Sequence, residues 1–489
     1  VSFGKQFFIY GVTGAVSRLA ALLLVPIYTR SLSVPEYGQL EILLAVHMLL
    51  VLMIGLQGES AVARDYYRAN EQNWLPELVW GAIWIVALGT AVTALLVVAA
   101  HAAWTAPNNV GHYLPYLLAL SLPTHLLGVQ LVFIRFSGRP LLYSVLSLSD
   151  FIATTLSSVY FIVFLNWGIS GALAGLATGK LLTVVAAWPV SFGSEPSPIG
   201  GLRRMRGMLA YSLPTMPAVI LNWLQTIGTR VIWAFFLPIG AVAIGGVGIR
   251  AASLFGLVVY SFRLAWEPQA FRLLDGDEGD RSRYARMLEL SVLGLFVTAG
   301  AAILASPLTV AIFAPAEYRE ATGLVPAFVL MHFWLGVGMV TTIGIHGARV
   351  TSRLTYVYVL AASAHLALLA LLSQRLGVEV TALALLLSTI VGAFAGAWFS
   401  NHHFNVGFSW RLLSVSAIVT LAVGALAYLR PSFGETLWPD PLLVIGLLVG
   451  LVSLAIFGIS AARRAAMMTE FADLGRSVRS RFASDQSPQ

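Results

Sequence analysis

The chain has 489 residues, of which 58% are hydrophobic and only 10% charged, with a mean hydropathy of +0.83. A soluble chain carries about 25% charged residues, so this composition excludes a water-soluble globular protein and places the chain in lipid. The formal charge of +7 is dispersed as arginines over short segments between apolar runs, a pattern that orients a membrane protein rather than binding nucleic acid, and the lack of cysteine excludes disulfides and thiolate metal or redox sites.

In chain order, runs of spanning length lie at 7–28, 38–61, 78–101, 112–134, 141–166, 168–190, 208–236, 238–262, 287–310, 323–346, 354–374, 377–400, 410–429 and 441–461. Each approaches the ~20 apolar residues that cross a hydrocarbon core. Lipid tolerates no open sheet edge, so the runs are helices. The expected fold is an all-α integral membrane protein with about fourteen transmembrane helices. The first run is too long for a cleavable signal peptide and lacks a small-residue cleavage site.

Loop charges alternate. One set of segments holds Lys5; Arg64 and Arg68; Arg135 and Arg139; Arg203, Arg204 and Arg206; Arg263, Arg272, Arg281, Arg283 and Arg286. It continues with Arg349 and Arg353, Arg411, and the tail's Arg463, Arg464, Arg476, Arg479 and Arg481. The opposite segments hold only Arg30, Arg319, Arg375 and Arg430. This bias places both termini in the cytoplasm. Asp275-Gly276-Asp277-Glu278-Gly279-Asp280 reads as a solvated turn between helix ends. In the tail, Met467, Phe471, Leu474, Val478 and Phe482 recur at spacings of three and four. That pattern fits an amphipathic helix on the anionic inner leaflet, with a solvated, frayed tail as the alternative.

A weak internal repeat is visible. Tyr10, a span, and Leu32-Ser33-Val34-Pro35-Glu36-Tyr37-Gly38 open the chain, while Tyr211-Ser212-Leu213-Pro214, a span, and Leu237-Pro238-Ile239-Gly240-Ala241-Val242 open its second half. The expected organisation is a six-helix lobe at 1–200, a second at 201–405, an additional helix pair at 406–461 and a cytoplasmic tail at 462–489. Such repeats build a central site between halves in many transporters.

These residues resemble the polysaccharide-transporter branch of the multidrug/oligosaccharidyl-lipid/polysaccharide exporter superfamily, which includes O-antigen and other lipid-linked oligosaccharide flippases. The likeness rests on Arg18, Pro26-Ile27-Tyr28-Thr29-Arg30-Ser31-Leu32, Pro35-Glu36-Tyr37-Gly38 and Gly58-Glu59-Ser60-Ala61-Val62-Ala63-Arg64-Asp65-Tyr66-Tyr67. It continues through Tyr211-Ser212-Leu213-Pro214, Thr229-Arg230, Ala265-Trp266-Glu267-Pro268, Tyr284-Ala285-Arg286, Glu317-Tyr318 and Val325-Pro326. It covers about residues 5–405 by motif order. The chain departs from the family at Thr229, where an acidic residue is common, and at His365, near a common asparagine.

The resemblance implies a bacterial inner-membrane flippase that carries a polyprenyl-pyrophosphate-linked oligosaccharide from the inner to the outer leaflet by alternating access. It implies that substrate, membrane lipids and polysaccharide polymerase machinery as partners. The polyprenyl tail is expected to stay in lipid, in a groove beside the last two helices. No ATP-binding element is present and no cofactor is expected; the candidate coupling ions are H+ and Na+.

Charges within spans are expensive and usually face a cavity or each other. Here they are Arg18, Glu41, Asp150, Lys180, Arg230 and Arg250, with Glu59 and Arg64 at the end of the second run. Guanidinium forks suit the phosphate oxygens of such a substrate, so Arg18 and Arg230, one on the first helix of each half, are the leading pair, followed by Lys180 and Arg250. The alternative is that each pairs with a carboxylate to lock packing. Ser147, Asp150, Thr154 and Ser157 share one helix face. Ser147 and Thr154 suit sugar hydroxyls and Asp150 a coupling proton, against interhelical packing as the plainer reading. Glu41, Glu59 and Arg64 are candidates for coupling or gating.

Gly175-Leu176-Ala177-Thr178-Gly179-Lys180-Leu181 mimics a phosphate loop, but it is one residue short, lacks the Ser/Thr after lysine and lies in an apolar helix. A cation-coupled multidrug antiporter is the alternative function, disfavoured because the intramembrane charges lean basic. A membrane glycosyltransferase would need a catalytic acid or base on a large loop, and the loops are short.

Overall fold

A computed structural model of the chain describes residues 13, 16, 19, 22–103, 110–192, 196–274, 281–348, 350, 352–404, 406–429 and 440–459. Arg18, the acidic turn at 275–280 and the expected amphipathic tail lie outside the described residues. The chain opens with α1 (Leu24–Ser31), α2 (Val34–Gly55), α3 (Gly58–Glu71), α4 (Leu75–Ala103), α5 (Leu114–Phe136), α6 (Pro140–Val159) and α7 (Gly168–Ser191). Next come α8 (Pro198–Ser212), α9 (Met216–Thr226), α10 (Thr229–Phe236), α11 (Ile239–Leu274), α12 (Arg281–Leu304) and α13 (Ser306–Phe313). The remainder is α14 (Ala321–Thr341), α15 (Ile343–Gly347), α16 (Ser352–Leu376), α17 (Glu379–Phe404), α18 (Trp410–Tyr428) and α19 (Pro441–Ser453).

Among the described residues, twelve helices are long and apolar enough to span a membrane, and the bent pair α9–α10 makes thirteen if counted as one span. These match thirteen of the predicted runs. The first, 7–28, falls largely outside the described residues.

Several boundaries differ from the expectation, and two of them have plain local reasons. The second span begins at Val34 rather than near 38, because Ser33, Pro35 and Glu36 form a helix start. The Ser33 amide donates to Glu36 Oε2 at 2.8 Å, and its hydroxyl donates to the same oxygen at 2.7 Å, while Pro35 sits in the first turn where no amide is needed. The run 208–236 is not one helix. A 3-10 turn at Leu213–Thr215 interrupts it, and α9 and α10 meet at 56°. At that bend a Cβ on Gly228 would stand 2.8 Å from the Trp223 ring, so glycine lets the chain fold back beneath the indole without displacing it. Broken helices in lipid are tolerated where they line a cavity.

By the alternation of the spans, Arg64 of α3, Arg135 near the end of α5, Arg203 of α8, Arg263 of α11 and Arg411 at the start of α18 fall towards one end of the bundle, and Arg30 of α1, Arg319 and Arg375 near the end of α16 towards the other. A continuous apolar core runs from Leu22 to Ile459. Large apolar side chains such as Leu95, Phe164, Phe235 and Leu371 stay exposed on the outside, as a lipid-facing surface requires. Helix pairs approach closely through small residues, since lipid gives no hydrophobic drive between helices. Gly175 and Gly179 of α7 lie against the α6 backbone at Ser158 and Thr154.

The two halves of the chain meet mainly at two places: α8 packs on α4 and α3, and α2 packs on α11 and α10. Near the arginine-poor end, Gly38 touches the Ile239 carbonyl, and a Cβ on Gly240 would sit 3.9 Å from Val34 Cγ1. Deeper, Trp223 Nε1 donates to the Ala45 carbonyl at 3.1 Å. Towards its other end α2 turns to its own half, where Gly55 rests under His125 and Ile54 meets Gly89. The two motifs read as repeat openings, at 32–38 and 237–242, thus face each other.

Candidate functional site

Glu41, two turns into α2, is 2% exposed. A carboxylate buried in lipid requires partners, and three converge on it. Arg250 of α11 donates through Nε to Glu41 Oε1 at 2.5 Å, Arg230 of α10 brings Nε to 3.6 Å of Oε2, and Tyr37, one turn back on α2, donates to Oε1 at 2.8 Å. Gly246 makes room: a Cβ there would stand 2.9 Å from Glu41 Cγ. Arg230 also donates through Nη1 to the Thr226 carbonyl at 2.8 Å, satisfying an acceptor freed by the bend. Two guanidinium charges therefore face one carboxylate, leaving one positive charge in excess.

That excess faces a cavity. The Arg230 and Arg250 side chains are 13% and 24% exposed, and both line a cavity of about 690 Å³ between α9, α10, α11, α14, α16 and α17. It extends to Arg263 and His346 at the arginine-rich end, about 20 Å along α11 from Arg250 at 1.5 Å per residue. His332 lines it between these ends, and Asn222, Gln225, Thr226, Ser253, Ser388 and Thr389 supply amides and hydroxyls. No aspartate or glutamate is among its described lining residues. Leu22 is the one described lining residue from before position 200, so nearly all of the described lining comes from the second half.

The predicted site residues divide. Arg230 and Arg250 stand together on the cavity, and Glu41 holds both; Arg18 lies outside the described residues. Lys180 and Asp150 do not line the cavity. They bond each other, Nζ to Oδ2, at 2.6 Å across the α6–α7 crossing. Thr154 lies at that crossing and spends its hydroxyl on the Asp150 and Phe151 carbonyls at 2.7 and 3.0 Å. Ser147 is half-buried on the same helix. The stripe is packed against α7 because glycine at 179 draws the two backbones together. Glu59 approaches His125 Nδ1 at 3.6 Å. Arg64 bonds its neighbour Asp65 at 2.6 Å and lies 4.1 Å over the Tyr211 ring, tying α3 to α8. Thr229 and His365, the two departures from the family pattern, meet at 3.1 Å, Oγ1 to Nε2. His332, His346, Asn222 and Gln225 were not singled out by sequence. A usable signal existed for His332, an ionisable residue inside an apolar run.

Broken and continuous spans around a polar, cation-lined cavity are the arrangement in which membrane transporters build their sites. The chain belongs to the polysaccharide biosynthesis protein family, whose model matches residues 3–260. No curated protein matches the sequence significantly. The lipid II flippase MurJ, in an inward closed conformation, shares the fold with a TM-score of 0.65 at 14% identity, over 92% of this chain and 98% of that one. A mutant form of the Vibrio cholerae MATE transporter VcmN gives a TM-score of 0.55 at 18% identity, over 81% and 96%. An outward-facing multidrug resistance MATE transporter of the MOP superfamily gives 0.54 at 14%, over 82% and 95%.

Proposed function

We propose that the chain is a flippase that moves a polyprenyl-pyrophosphate-linked oligosaccharide across the cytoplasmic membrane of a bacterium by alternating access. The observation that carries this reading is the cavity lined by Arg230, Arg250, Arg263, His332 and His346 with no acid among its described lining residues. Guanidinium groups bind phosphate oxygens in pairs, and the amides and hydroxyls nearby suit sugar. By the positive-inside rule the arginine-rich end is cytoplasmic, so the cavity opens where such lipids are made. An apolar groove lined by Leu360, Phe394, Trp398 and Trp410 offers the polyprenyl tail a path beside α18. Membership of the polysaccharide biosynthesis family and the fold shared with the lipid II flippase MurJ support the substrate class. An H+ or Na+ gradient as drive, cytoplasmic termini and docking to polymerase machinery remain proposals that follow from this reading.

The multidrug-antiporter reading draws on the shared MATE fold, but a cavity lined by cations repels organic cations. The test is translocation of a labelled polyprenyl-pyrophosphate oligosaccharide in proteoliposomes. Wild type transports it, and Arg230→Ala and Arg250→Ala each lose at least about tenfold, the weight of one charge-assisted contact. Export of organic cations without lipid translocation would overturn the proposal.

A further inference from the structure

We infer that Glu41 is an internal stand-in for the substrate's phosphate, and that an anionic head group entering the cavity takes Arg250 and Arg230 from it, unlatching the arginine-poor side. The inference rests on the flippase reading and adds what permits the cavity to change sides.

The geometry sets up a competition. Glu41 comes from α2, in the first half of the chain, whereas Arg230 and Arg250 come from α10 and α11, in the second. The contact Arg250 Nε to Glu41 Oε1 at 2.5 Å therefore bridges the halves, beside the close approaches Gly38 to Ile239 and Val34 to Gly240. The carboxylate is sealed at 2% exposed while both guanidiniums reach the cavity. A ligand thus meets the arginines on the face opposite Glu41. Each guanidinium has five donors in one plane, so a phosphate can begin to bind before the carboxylate leaves. Two positive charges hold one carboxylate singly, but a pyrophosphate supplies more charge and more acceptor oxygens. Exchange of Glu41 for pyrophosphate weakens the bridge between halves, and Tyr37, hydrogen-bonded to Glu41 at 2.8 Å, takes up a larger share of the freed carboxylate. A ligand without phosphate leaves the latch shut, so the device couples opening to cargo. Its energetic requirement is a differential affinity for the two states.

The chain has no cysteine, so the pair Val34→Cys and Gly240→Cys reports closure of the arginine-poor side through disulfide formation, in purified protein reconstituted in nanodiscs. In the parent pair, undecaprenyl pyrophosphate should lower the crosslinking rate by about fivefold or more, the usual scale of coupling between sites, and undecaprenol should not. Glu41→Gln should lower the rate by a similar factor without ligand and leave little further response. Should Glu41→Gln fail to fold, Tyr37→Phe, which keeps the charge and loosens its orientation, should give a smaller change in the same direction. Direct binding of the radiolabelled lipid is measured in parallel. Binding with unaltered crosslinking, or an unaltered rate in Glu41→Gln, overturns the latch and leaves the flippase reading intact. Failure of the lipid to bind overturns the exchange and the flippase reading together.

Discussion

Substituting Gly179 by valine tests how the α6–α7 crossing holds its ion pair. A Cβ at 179 would land on the Thr154 backbone nitrogen and Cα, and at 175 it would stand 2.5 Å from Ser158 Cα. Carbon atoms pack at about 3.5–4.0 Å, so the helices must part by roughly 1 Å. Overpacking of this kind costs about 1–3 kcal/mol, and the parting also stretches the 2.6 Å bond between Lys180 and Asp150. Helix propensity returns less than about 1 kcal/mol. The expected net loss is therefore about 2 kcal/mol, measured as the temperature at which half the protein stays monodisperse on size exclusion after heating in detergent. At about 2–4 °C per kcal/mol for domains of 150–250 residues, the midpoint should fall by several degrees. Gly294→Ala is the control: nothing lies within 4 Å of a Cβ there, so alanine should hold or raise the midpoint by relieving glycine's helix penalty. Equal shifts for the two variants would refute the argument that close approach, rather than helix propensity, fixes glycine at 179.

Three further outcomes follow from the charge and hydrogen-bond geometry. Lys180→Met strands Asp150 and should cost about 3–5 kcal/mol, whereas the double variant Lys180→Met with Asp150→Asn should regain most of it; translocation retained by that double variant would assign the pair to packing. Thr229→Val and His365→Ala should each cost about 1 kcal/mol through one bond, and a double-mutant cycle of thermal midpoints should show them non-additive. Arg64→Ala should cost at most about 1 kcal/mol in the same heating assay, because Arg64 and the Tyr211 ring beneath it are exposed.

The sequence by itself determined the spans. Lipid demands about twenty apolar residues per crossing and satisfies backbone groups only within helices, and thirteen of the expected runs appear as spans or a bent pair. It also picked out most of the charges within spans, because each stands out against an apolar run; Glu289, buried within α12, was missed near the start of its run. The landmark at 33–38 was legible as a motif, and its physical content, a helix start followed by a tyrosine that bonds Glu41 and a glycine that meets Ile239, came from the structure.

Only the tertiary structure decided which charge answers which. Nothing local joins Glu41 to Arg250, 209 residues away, or separates Arg250, which faces a cavity, from Lys180, which spends its charge on Asp150. Periodicity places a residue on one face of its helix, but what that face meets depends on helices distant in sequence. The bend at Gly228 was hidden for the same reason, since an apolar run of spanning length looks alike whether it is straight or broken. The choice of partner across the bundle, not the presence of charge in it, is what brings two of these arginines together on the cavity.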